Sequence, residues 1–177
     1  MPTKKIAILA MIAGLYAGIS LLLAPLSFAN IQVRLAEALT LLPVIMPSSI
    51  LALGLGCFVT NLLGVMSGAN IAGMLDVFVG TATTIIAGYC SYRLRHYCVK
   101  GYPVLATLPP ILLNAVVIGL ELTVVLSPSS SFSWPFFSLI FMQIALGQFI
   151  AIFIIGLPLI KKLGTIKFFT TEKEDRK

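Results

Sequence analysis

Residues 6–24 read IAILAMIAGLYAGISLLLA, an uncharged apolar run that follows Lys4 and Lys5 and stops at Pro25. At 1.5 Å per residue, about 20 apolar residues cross a hydrocarbon core of roughly 30 Å, so this run predicts a membrane span. Proline, glycine and charge punctuate the rest of the chain in the same way. They mark helices at about 33–46, 48–63, 74–92, 105–126 and 134–160, a polar loop over Ser127 to Ser133, and a charged tail over 161–177. The predicted fold class is all-α: an integral membrane bundle of six transmembrane helices, forming one membrane domain over 1–177. Helices 2 and 3 are short, so one of them is expected to tilt or to be partly re-entrant. Ser27-Phe28-Ala29 resembles a leader cleavage site, but the preceding run exceeds the usual ~7–15 residues of a leader's apolar region and reads as a retained span.

Composition supports this class. Hydrophobic residues make up 59% of the 177, charged residues only 10%, and the mean hydropathy is +1.05. Soluble domains carry about 25% charged residues. Six spans leave no room for a separate catalytic or nucleotide-binding domain. Cys57, Cys90, Cys98 and the single His96 show no metal-ligand spacing, so neither a metal nor a cofactor is expected. An intramembrane enzyme would need a nucleophile–base pair or a phosphate-binding loop, and no such motif stands in the chain.

The formal charge of +6 would suit nucleic acid, but its distribution points to topology instead. With the N-terminus inside, six spans place both termini and the 2–3 and 4–5 loops in the cytoplasm. Eleven of the twelve basic residues then lie inside: Lys4, Lys5, Arg93, Arg95, Lys100, Lys161, Lys162, Lys167, Lys173, Arg176 and Lys177. Only Arg34 lies outside. Such asymmetry follows the positive-inside rule, and no nucleic-acid partner is needed to explain it.

Three acidic residues, Glu37, Asp76 and Glu121, fall in or at the ends of apolar segments. An ionisable group near the bilayer centre costs roughly 2.5–3.5 kcal/mol on insertion scales, so such groups face protein or water and mark function. Under the six-span topology, Arg34 and Glu37 sit one turn apart at the outer end of helix 2. Asn61 lies near the outer end of helix 3, and Asp76 is in the first turn of helix 4. Gly80, Thr83 and Thr84 continue its stripe. Glu121 lies about 8 Å below Leu126, with Asn114 about 10 Å deeper on the same face. Gln143 lies roughly 13 Å in from Trp134, and Gln148 is about 140° around the helix from it, so only one of the two lines a given cavity. Polar groups of helices 2 to 6 thus converge on the outer half, as a pocket open to one side suited to a polar, donor-rich ligand. The duller reading of the amides is helix-to-helix bonding, and that of Trp134, Phe132, Phe136 and Phe137 is an interfacial belt.

Helix 1 carries Ala10, Gly14 and Gly18 at four-residue spacing, with Ala13 and Ala17 as a neighbouring small pair. Such faces let helices approach closely in lipid, either within the bundle or against another membrane subunit.

The stretch Val33-Arg34-Leu35-Ala36-Glu37-Ala38-Leu39-Thr40-Leu41-Leu42-Pro43 resembles the signature of QueT-type membrane proteins. Asn61-Leu62-Leu63, Leu75-Asp76-Val77-Phe78-Val79-Gly80-Thr81, Asn114 and Glu121 extend the likeness over about residues 5 to 162. The resemblance implies a substrate-binding S component of an energy-coupling-factor (ECF) transporter, in a bacterial inner (plasma) membrane. Its substrate would be a queuosine precursor, a substituted 7-deazaguanine. Its partners would be a transmembrane coupling protein and two cytoplasmic ATPases, docked through an Ala-xxx-Ala type face matched by Ala13 and Ala17. The absence of a GxxxxGK[ST] loop assigns ATP hydrolysis to those partners. Two other readings stay open: an S component for another vitamin-like ligand, and a small ion- or proton-coupled carrier acting alone.

Overall fold

A backbone in hydrocarbon has no water to bond with, so the apolar runs wind into helices that satisfy their own N–H and C=O groups. The computed structural model describes residues 3–24, 34–127 and 132–166. The expected helix 2 start at Val33, the Ser27-Phe28-Ala29 stretch and most of the charged tail lie outside the described residues. Among the described residues every regular element is helical. Five segments are long and apolar enough to cross a membrane: Thr3–Leu22, Ser49–Met66, Met74–Arg93, Val104–Leu126 and Trp134–Leu163. Leu35–Val44 is a sixth, shorter apolar helix. We number these helices 1, 3, 4, 5, 6 and 2 respectively.

Helix 2 departs most from its expected form. It is a 3₁₀ helix of 10 residues, with Pro43 inside it, and it covers 35–44 rather than 33–46. At about 2 Å per residue it reaches roughly 20 Å, short of a full hydrocarbon thickness. Residues 36–43 are all buried, so it threads the bundle's interior against helices 1, 3, 4 and the later part of helix 6. Its pitch of three residues per turn stacks Glu37, Thr40 and Pro43 on one face. The Thr40 hydroxyl donates to the Glu37 carbonyl at 2.6 Å within that stack.

The other boundaries shift for local reasons. Helix 3 runs through the buried Gly64 to Met66 and ends where Gly68 takes φ of 72°, a conformation glycine adopts without a Cβ penalty. Helix 5 begins at Leu108 after a 3₁₀ turn at Val104–Thr107, because Pro109 and Pro110 lack N–H groups and fit the first α-turn. Helix 6 is α-helical over Trp134–Phe149, widens to a π-helix over Ile150–Gly156, and resumes as α over Leu157–Leu163. Pro158 cannot donate to the preceding turn, which accounts for the interrupted ladder there. At the π segment Gly156 packs on the helix 2 backbone: a Cβ there would meet the Ala38 carbonyl oxygen at 2.9 Å.

Helix 1 packs on 3, 3 on 4, 4 on 5 and 5 on 6. Ile12, Tyr16, Leu39, Met46 and Leu53 form one apolar cluster, Ile118, Leu122, Ile140 and Ile144 another, and Leu41, Ile111 and Ile152 a third. Outward-facing positions are themselves apolar, as Leu22, Leu51 and Met66 show at 82%, 73% and 75% exposure. That inverted surface is what a lipid solvent selects. Every described Lys and Arg other than Arg34 lies at one end of the bundle: Lys4, Lys5, Arg93, Arg95, Lys100, Lys161 and Lys162.

Candidate functional site

The buried charged groups, Arg34, Glu37, Asp76 and Glu121, lie away from that basic end. Helix 4 starts among them, after a loop that Asn70 ties down. The Asn70 Oδ1 accepts from the Ala72 N–H at 3.1 Å, an Asx turn, and its Nδ2 donates to Asp76 Oδ2 at 2.8 Å. Arg34, at the head of helix 2, donates through Nη2 to the same Asp76 Oδ2 at 3.1 Å and to Asn61 Oδ1 at 2.9 Å. The Asn61 amide closes the ring by donating to the Asp76 carbonyl at 2.8 Å. Helices 2, 3 and 4 are therefore joined by one ion pair and two amides, all buried.

Gly80 makes that closeness possible. A Cβ on Gly80 would run into Asp76 Oδ1 and stand 2.8 Å from Asn61 Nδ2. Thr83 and Thr84, the rest of the polar stripe, donate their hydroxyls to the Val79 and Gly80 carbonyls of their own helix.

Glu37 points the other way, toward helix 1. Its Oε1 accepts from the Tyr16 hydroxyl at 2.5 Å, and its Oε2 is buried without a hydrogen-bond partner. Asn114 of helix 5 adjoins Glu37 and interacts with its carboxylate. Glu121 is 6% exposed with both carboxylate oxygens unpartnered, within electrostatic reach of Asp76 and Arg34. Asp76 Oδ1 is likewise unpartnered. Buried polar groups are ordinarily hydrogen-bonded, so the two orphan oxygens of Glu121 and the free Oδ1 of Asp76 stand out in this end of the bundle.

The structure thus brings together Arg34, Glu37, Asn61, Asp76, Asn114 and Glu121. Gln143 is half-buried on one edge of the inward face of helix 6. The glutamine that turns in is Gln148, at 4% exposure with Oε1 unpartnered. Helical pitch decides this: Ile140, Ile144, Gly147 and Gln148 share the packed face, at a depth near that of Asn114. Sequence reasoning missed Tyr16 and Asn70. Asn70 carried a signal, an Asx-turn residue just ahead of helix 4. Tyr16 carried none stronger than a polar tip within an apolar helix.

Helix 1 presents its small residues on two sides. Ala13 and Ala17 are buried against helix 3, where a Cβ on Gly56 would meet the Ala13 carbonyl oxygen at 2.9 Å. Ala10, Gly14 and Gly18 are exposed, and nothing lies within 4 Å of a Cβ built on either glycine.

A family model described as QueT transporter matches residues 6–165. No curated protein and no solved structure shows a significant match.

Proposed function

Because the chain belongs to the QueT transporter family, we propose that this multi-pass membrane transporter protein is the substrate-capture S component of an ECF-type importer for a queuosine precursor. The observation that carries the reading is the set of buried, unpartnered carboxylate oxygens: both oxygens of Glu121 and Asp76 Oδ1. A substituted 7-deazaguanine answers it with an N–H-rich edge. Glu121 accepts two hydrogen bonds from that edge, Asn114 donates to a ring or carbonyl acceptor, and the free oxygen of Asp76 receives an aminomethyl cation. Charge-assisted bonds of this kind are the strong ones in a water-poor site.

Under this proposal the basic end is cytoplasmic and the site opens outward. ATP-binding partners supply the energy, and a transmembrane coupling protein docks on the exposed Ala10, Gly14 and Gly18 side of helix 1. Ala13 and Ala17, expected from the resemblance to serve that docking, support the face from behind by seating helix 1 on helix 3. Calorimetric titration of the purified protein with 7-aminomethyl-7-deazaguanine, guanine and unrelated vitamins tests the substrate. Saturable binding of the deazaguanine supports it, and saturable binding of an unrelated vitamin alone overturns it. Uptake into liposomes by the lone chain, without ATPase partners, would replace it with an ion-coupled carrier.

A further inference from the structure

The bundle's basic end contains an open cavity of about 440 Å³, remote from the polar site. Along helix 4 alone, Asp76 and Arg93 are separated by roughly 26 Å, and Arg95 follows that end of the helix. Val44, Ile45 and Ile160 form an apolar wall of this cavity, and Arg95, His96 and Lys161 supply its polar lining. Among the described residues no Asp or Glu lines it, and the described acidic residues, Glu37, Asp76 and Glu121, all belong to the far site. The two cations are seated on aromatic rings. The Arg95 guanidinium lies 3.9 Å from the Tyr92 ring centre, and the Lys161 ammonium 4.1 Å from that of Tyr102. Ring contacts hold a cation in place without neutralising its charge.

We propose that this cavity is a binding site for an acidic phospholipid, with the headgroup phosphate on Arg95 and Lys161 and the glycerol–acyl portion along Val44, Ile45 and Ile160. Depth agrees with this occupant. Helix 6 is 30 residues long from Trp134 to Leu163. That is about 45 Å of α-helix against a hydrocarbon core of roughly 30 Å, so its Lys161 end reaches the headgroup layer. An apolar wall beside a cationic mouth suits an amphiphilic anion better than a free one, and basic pockets between helix ends take such headgroups. The site is independent of the deazaguanine reading.

The full-length protein in neutral detergent is titrated with short-chain phosphatidylglycerol, phosphatidylcholine and inorganic phosphate, with bound species counted by native mass spectrometry. Saturable phosphatidylglycerol binding, with phosphatidylcholine and phosphate much weaker, is the expected result. The double variant R95Q/K161Q is expected to lose about 30-fold in affinity, from roughly 1 kcal/mol per removed charge, while R95K/K161R retains it. Equal binding of the two lipids overturns the proposal in the wild type alone, whether or not the variants fold. Undiminished binding by R95Q/K161Q overturns it as well. Phosphate binding as tightly as phosphatidylglycerol overturns the lipid assignment.

Discussion

Glu121 and Asp76 are both buried carboxylates, but their surroundings assign them different work. Asp76 Oδ2 is held by Arg34 and Asn70, whereas neither oxygen of Glu121 meets a protein donor. Glu121→Gln is therefore expected to weaken ligand binding roughly 10- to 100-fold, the worth of a hydrogen bond to a charged group, without lowering the melting temperature. Calorimetry beside a thermal melt separates the two effects. Asp76→Ala is expected to do the reverse first: it removes the carboxylate of the buried ion pair with Arg34 and destabilises the fold by about 3–5 kcal/mol. Tyr16→Phe removes the hydroxyl that donates to Glu37 Oε1 and is expected to cost about 1–3 kcal/mol, read from the same melts. The cost of burying charge in an apolar run made Arg34, Glu37, Asp76 and Glu121 legible in the sequence. Their pairing was not, because Arg34 meets Asn61 and Asp76 across 27 and 42 residues. No local spacing rule reaches that far.

Between helices, the deciding residues are those with no side chain at all. Gly80 lets Asp76 and Asn61 share the seam between helices 3 and 4. Gly80→Ala is expected to push them apart, costing about 1–3 kcal/mol by overpacking and weakening ligand binding together with stability. Gly14→Leu makes the contrast, since its Cβ would enter open space. It is expected to leave melting and ligand affinity unchanged while abolishing uptake in cells that supply the coupling partners. Unchanged uptake would remove that face of helix 1 from docking. Hydropathy placed the six helices within a few residues of where they lie, because lipid imposes length and apolarity on any span. It could not reveal that helix 2 is 3₁₀ and that helix 6 passes through a π segment. Both depend on which carbonyl each N–H reaches, and an apolar run looks the same at either pitch. Pro43 and Pro158 were the local marks of these departures. The small-residue pattern on helix 1 was visible too, but not which side faced inward, because both sides are equally small.

For the molecule as a whole, the charge distribution and the polar site make opposite ends distinguishable, and the native cysteines give a direct test of which end faces the cytoplasm. Cys98 is exposed, in the segment after helix 4 that carries Arg95 and Lys100. Cys57 is fully buried within the bundle, and Cys90 is half-buried within the membrane-spanning part of helix 4. A membrane-impermeant maleimide therefore has one ready target. The positive-inside rule places that target in the cytoplasm. Intact cells are expected to show no labelling, permeabilised cells one label per chain, and Cys98→Ser cells none under either condition. Labelling of Cys98 from outside would invert the bundle and turn the ring of Arg34, Asp76 and Glu121 toward the cytoplasm. A site facing that way has no access to an external solute before transport, so the capture role would fail even with the fold and the site chemistry intact.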